Sequence, residues 1–177
     1  AYNDLEKNEK YSNIFKDGNK VRSVERNKEN GFDAIELYNE KKKQVTIVIS
    51  GVDGLKDLPA GLGSGSPAAI KSFESQFKSA EKLYQRIKDN LQPGESINAV
   101  GHSLGGALVQ LLSAKHGIYA TSLDAPGAKK AADKILGQDQ YKTDKITAYT
   151  ALDNMVNGHG THMTEQTLLV KEGFADH

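Results

Sequence analysis

Five residues, Gly101-His102-Ser103-Leu104-Gly105, stand between a short apolar run, Ser96–Val100, and an Ala- and Leu-rich stretch, Leu104–His116. The run reads as a strand and the stretch as a helix, so the chain must turn from one into the other within a few residues. Glycines flank the serine because a side chain at either position of so tight a turn would collide with the neighbouring strand or helix. The turn thrusts the serine hydroxyl out above the end of a sheet. A shuffled chain of this composition would show such a pentapeptide about one time in ten, so the flanking strand and helix carry the argument as much as the letters do. The competing reading is a glycine-lined turn whose serine only caps the helix.

Around this junction strands alternate with helices. Ala1–Asn30 is rich in Lys, Glu and Asn, with scattered apolar residues (Tyr2, Leu5, Tyr11, Ile14, Phe15), and reads as a peripheral helix or two. Phe32, Ile35 and Leu37, a charged turn at Asn39–Lys43 and the β-branched run Val45–Ile49 predict a hairpin leading into a buried strand. Gly51–Pro67 holds Gly51, Gly54, Gly61, Gly63 and Gly65 with two prolines and reads as a loop. From Pro67 to about Asn90, Ile70, Phe73, Phe77, Ala80, Leu83, Tyr84 and Ile87 recur at three- and four-residue steps, the mark of an amphipathic helix. Ile118–Leu123, Lys145–Ala151 and Gln166–Val170 read as strands and Gly127–Leu136 as a helix. The sum is one α/β domain over residues 1–177, a mostly parallel sheet with helices on both faces.

Composition narrows the chemistry. With 177 residues the chain buries roughly 70% of its unfolded surface and needs no staple. It has no cysteine, which excludes disulfide scaffolds and thiol or Cys-zinc chemistry. Twenty-three Lys plus Arg balance 23 Asp plus Glu without a basic block, so there is no electrostatic footprint for nucleic acid. No apolar run approaches a membrane span, and Ala1–Lys10 is polar, without a signal-peptide pattern. A chain that opens on Ala1 reads as a processed product or an excised piece of something longer. Gly61, Gly63 and Gly65 lack the third glycine of a dinucleotide fingerprint. His159 and His162 lack an acidic or cysteine partner at metal-ligand spacing, so neither a cofactor nor a metal is expected.

A serine hydroxyl is a poor nucleophile at neutral pH and needs a base in reach and an acid to hold that base's tautomer. Behind a strand–turn–helix serine the chain order is Ser, then Asp or Glu, then His. His116 ends the helix after the turn, where a cation suits the dipole, and His177 is terminal. His159 and His162 lie in or beside the glycine-rich stretch Asn157–Thr161 between two predicted strands, and His162 is preferred as base, with His159 its rival. Asp153, directly after the strand Lys145–Ala151, is the preferred acid. Asp124, ending Ile118–Leu123, is the alternative, since both occupy carboxyl ends of strands. The oxyanion donors are the amide of Leu104 and one from the loop after Val45–Ile49, at Val52 or at Gly51.

Gly101-His102-Ser103-Leu104-Gly105-Gly106-Ala107-Leu108 resembles, nearly letter for letter, the G-H-S-L-G-G-A-L elbow of the class 3 lipases, the family of fungal triacylglycerol lipases, and particularly their compact bacterial relatives. Weaker matches follow in order over about Asn30–Val170. Asn30-Gly31-Phe32-Asp33-Ala34 resembles the opening hairpin, and Val48-Ile49-Ser50-Gly51-Val52 stands where the family has its F-R-G-T oxyanion strand. Leu123-Asp124-Ala125-Pro126-Gly127 resembles the F-x-x-P segment, Asp153-Asn154-Met155-Val156 the segment with the catalytic Asp, and His162-Met163-Thr164-Glu165 the segment with the catalytic His. The resemblance implies an α/β-hydrolase core, with Ser103, Asp153 and His162 as nucleophile, acid and base; the short, glycine-rich stretch Asp53–Pro67 departs from the family in offering a minimal lid or none. With Ser50 and Val52 in place of Arg and Thr, it implies backbone donation alone at Val52. It implies a serine carboxylester hydrolase acting on lipid or related esters, with transient contact to a membrane or micelle surface, and an exported bacterial protein. The alternative is a degenerate hydrolase fold serving as a binding or interaction module.

Overall fold

The computed structural model describes residues 16–51, 58–151 and 160–169. In chain order the described elements are β1 (Asn19–Asn27), β2 (Phe32–Asn39), β3 (Gln44–Ile49), α1 (Leu58–Ser64), α2 (Pro67–Asp89), β4 (Ser96–His102), α3 (Leu104–His116), β5 (Tyr119–Leu123), α4 (Lys129–Leu136), β6 (Ile146–Ala151) and β7 (Gln166–Leu169). The strands form one sheet in simple sequence order, β1 to β7. β1, β2 and β3 pair antiparallel, and β3 through β7 pair parallel. The carboxyl ends of β3, β4, β5, β6 and β7 therefore share one edge. That edge is where a parallel sheet presents ligand-binding residues.

Period-two burial makes the sheet. Val45, Ile47 and Ile49 of β3 are buried and the residues between them half-buried, and Phe32, Ala34 and Glu36 do the same on β2. Across the sheet Ile49, Gly101, Ser122 and Ala148 are in register. Gly101, Ser122 and Ala148 of this row are small and leave room for the start of α3 against the sheet. α3 is buried at every position from Leu104 to Ser113, because it packs on β3, β4 and β5 and is covered by α2. A helix so enclosed has no polar face to keep, which explains its Ala- and Leu-rich sequence. α2 buries the predicted stripe, Ile70 to Ile87, and carries Arg86 and Lys88 in its last turn, where cations suit the dipole.

Two expectations are corrected. Part of the segment read as peripheral helix, Asn19–Asn27, is β1, paired with β2 from Asn19↔Asn39 to Asn27↔Phe32. As an edge strand it is charged, which conceals the alternation and blunts edge-to-edge association. Pairing with β2, not helix propensity, decides its state. The remainder of that segment up to Phe15 lies outside the described residues. The glycine-rich stretch read as a loop contains the short helix α1. Leu58 and Leu62 are buried there, and a Cβ on Gly61 would stand 2.9 Å from Ala69 Cβ, so a glycine-rich helix is what lets α1 pack closely against α2.

His116 fits the structural reading: its Nε2 lies 2.9 Å from Glu81 Oε1, beside the left-handed cap Gly117. At α4, Tyr141 donates to Asp133 Oδ1 at 2.6 Å and Lys129 donates to both Asp133 oxygens at 3.0 and 3.1 Å. The Tyr141 bond holds the Asp133 carboxyl below its usual range, while burial and the Asp133 bond push the Tyr141 phenol from 10.0 up to about 12. A phenol whose pKa rises on folding stabilises the fold fully below pH 10.0 and loses that contribution as pH climbs towards about 12. Tyr141→Phe is expected to cost about 1 kcal/mol at neutral pH. Denaturant midpoints of variant and parent should converge between pH 10.0 and about 12.

Among the described residues no helix is long and apolar enough to cross a membrane.

Candidate active site

Ser103 sits between β4 and α3 with φ 53 and ψ −125, in the left-handed half of backbone space. A non-glycine residue there carries about 1–3 kcal/mol of strain, tolerated only where the surroundings enforce it. They do. The Ser103 amide donates to Leu123 O at 2.9 Å. A Cβ on Gly101 would strike the Gly105 carbonyl and lie 2.7 Å from Gly106 N; one on Gly105 would strike the Ile49 carbonyl and lie 2.8 Å from Ser50 O. Backbone thus meets backbone on both sides of the serine, as the sequence reading requires. Gly105→Ala is expected to cost about 2–3 kcal/mol by overpacking, lowering the melting temperature by roughly 5–10 °C.

The Ser103 side chain makes no cap hydrogen bond to α3. That removes the competing reading, in which the serine serves only as a helix cap. Its position at the helix start also puts the Leu104 amide in the first turn, where N–H groups have no intrahelical acceptor and the helix dipole is positive.

Gly51, at the end of β3, faces the serine directly: a Cβ there would lie 3.2 Å from Ser103 Cβ and 3.8 Å from Ser103 Oγ. Its backbone therefore borders the serine side chain. Val52, the preferred second donor, lies outside the described residues, as do Asp153 and His159.

His162 is described and half-buried, with its Nδ1 atom buried. Its neighbours hold it in place. Thr161 O accepts from Lys129 N at 3.0 Å, tying the segment to the start of α4, and Met163 is buried in the core. Gly160, at φ +87, packs so closely on Gly63 of α1 that a side chain would strike the Gly63 backbone, and a Cβ on Gly127 would lie 2.5 Å from Gly160 C. Three glycines from separate segments thus stack on one another, one of them two residues before His162. The structure fixes Ser103, Gly51 and Leu104 together at the ends of β3 and β4. It anchors His162 against the residues that follow the carboxyl end of β5.

Asp124, the alternative acid, has φ 50. Its amide donates to Tyr149 O at 2.8 Å, and its Oδ1 accepts from the Ala151 amide at 2.8 Å. Its Oδ2 stands 3.9 Å from Nε2 of the exposed His102. Among the described residues no group of three His, Cys, Asp or Glu could hold a metal ion.

No family model matches the chain. Over 68 residues it is 34% identical to the curated protein "Putative lipase ATG15" of Candida glabrata, and over 69 residues 33% identical to the protein of the same name in Eremothecium gossypii. Those stretches cover 38% and 36% of this chain but only 13% of each relative's length. Among solved structures, the Lip2 lipase of Yarrowia lipolytica matches with a TM-score of 0.60 at 17% identity, over 87% of this chain and 67% of that one. The chain has the fold of the fungal lipases. A triacylglycerol lipase from Penicillium expansum matches over 85% of this chain and 69% of its own, with a TM-score of 0.54 at 18% identity.

Within this lipase fold, two features escaped the sequence reading. The stacking of Gly63, Gly127 and Gly160 is a contact between distant segments, and only the presence of glycine at each position hints at it. The bond from Ala151 to the Asp124 side chain depends on strand neighbours that a linear pattern does not show. Asp at the end of a strand was its sole signal, and a turn residue gives the same one.

Proposed function

We propose that the chain is a serine carboxylester hydrolase of the lipase type, acting on lipid or related esters through an acyl-enzyme. The observation that carries this reading is the backbone of Ser103, strained at φ 53, clasped between two glycines and making no cap bond. Ser103 is the nucleophile, His162 the base and Asp153 the acid. His162 takes the proton of Ser103 Oγ as Oγ bonds to the acyl carbon, and the carbonyl oxygen becomes an oxyanion. The Leu104 amide receives that oxyanion, together with a backbone amide from Val52 or its neighbour Gly51. Collapse breaks the bond to the alcohol, which leaves with the proton from His162. Water then gives a proton to His162 as its oxygen adds to the acyl carbon, and Ser103 departs with that proton. Asp153 keeps His162 in the tautomer that both steps use.

A lipid surface is the proposed setting. Leu168 and Leu169 of β7 are exposed, and through the register His102↔Leu123↔Tyr149↔Thr167 they lie just past the level of the nucleophile's strand end. Hydrolysis of p-nitrophenyl esters of increasing acyl length tests the reading. Turnover that persists on long chains is expected. Turnover confined to the shortest esters would make the protein an esterase acting on soluble substrates, and none on any chain length would leave a hydrolase fold used for binding.

A further inference from the structure

We infer that Asp124 is a positioning residue that fixes the end of β6, two residues before the acid Asp153 in the sequence, an inference that rests on the site reading proposed above. The backbone of β5 turns away from β6 at Asp124, whose φ of 50 is left-handed. The last backbone rung between the two strands here is Asp124 N to Tyr149 O, 2.8 Å. The next donor along β6 is the Ala151 amide, and a β5 that continued straight would meet it with a backbone carbonyl. Asp124 meets it with Oδ1 instead, at 2.8 Å. The side chain extends the ladder by one rung after the main chain has departed, and a carboxylate makes that rung a charge-assisted bond. Asp and Asn are also the side chains that best tolerate this backbone region.

The rung matters because of what lies on either side. Leu123 O accepts from the Ser103 amide at 2.9 Å, so the consecutive residues Leu123 and Asp124 hold both the nucleophile's amide and the Ala151 amide. Ala151 is two residues before Asp153 in the sequence. One dipeptide thus ties the last residue of β6 to the elbow. Asp124 Oδ2 also stands 3.9 Å from Nε2 of His102, the residue next to Ser103.

Two substitutions separate this role from that of the acid itself. Asn keeps an acceptor oxygen and the left-handed backbone; Gly relieves the backbone and removes the acceptor. The readouts are the rate of covalent labelling by a fluorophosphonate, kcat and KM on p-nitrophenyl acetate, and thermal unfolding, with Ser103→Ala and Asp153→Asn as controls. Asp124→Gly is expected to stay folded and to slow labelling and kcat by about tenfold or more, with KM moved less than about threefold. Asp124→Asn is expected to restore both rates to within about threefold. If Asp124→Gly labels at the parent rate, the rung positions nothing and the inference falls. If Asp124→Asn instead loses about a thousandfold or more, as removal of an orienting carboxylate does, Asp124 is the acid. A parent protein that does not label on Ser103 would overturn the site reading. Loss of labelling in Asp153→Asn with none in Asp124→Gly would overturn the positioning role alone.

Discussion

Ser103→Ala is expected to reduce turnover of a p-nitrophenyl ester by on the order of a millionfold, since removal of a triad nucleophile leaves only binding and the oxyanion donors. The fold should be untouched. The hydroxyl makes no cap bond to α3, so its loss takes no hydrogen bond from the helix. Alanine keeps the strained φ of 53, whereas Ser103→Gly releases it. The glycine variant should therefore be inactive and more stable by about 1 kcal/mol, raising the melting temperature by roughly 2–4 °C. Inactivity with a gain in stability is the signature of strain held for chemistry. Equal stability of Ser103→Gly and the parent, measured by denaturant unfolding, would contradict the strain account.

His162→Ala should have the second largest effect, a loss of kcat of about 10,000-fold or more, with His159→Ala changing the rate by less than about threefold. The distinction rests on how His162 is held. Thr161 before it is bonded to the start of α4, Met163 after it is buried, and Gly160 is stacked between Gly63 and Gly127. A base must be fixed to be useful, because a misplacement of about 1 Å can cost a hundredfold. A side chain at Gly160 would strike the Gly63 backbone, so Gly160→Ala should lower kcat without touching any reacting group. If His159→Ala carries the large loss and His162→Ala the small one, the two histidines exchange roles.

Much of this was legible in the sequence, and for identifiable reasons. The elbow reads directly, because the collision that forbids side chains at Gly101 and Gly105 is local to the turn and leaves its mark as adjacent letters. α2 reads as well, since an amphipathic helix writes its buried face at helical period, and β3 writes its burial as a β-branched run. β1 did not read as a strand: a charged edge strand buries little, and its state is set by β2, which is paired to it through a turn. α1 did not read as a helix, because what stabilises it is close packing of glycine backbone on α2 and the segment at Gly160, which no propensity records. The site divides in the same way. Ser103 and Leu104 follow from the turn itself, and Gly51 follows from the strand beside it. Asp124 shows the limit: a strand-ending aspartate reads alike as turn residue, catalytic acid or backbone acceptor, and only the register of β5 against β6 gives it a partner in Ala151.

Whether Ser103 is an activated nucleophile is tested most directly by treating the folded protein with a fluorophosphonate and locating the adduct by mass spectrometry. The expected result is a single adduct on Ser103, absent from the Ser103→Ala and His162→Ala proteins. No adduct, an adduct on another serine, or undiminished labelling in His162→Ala would contradict it.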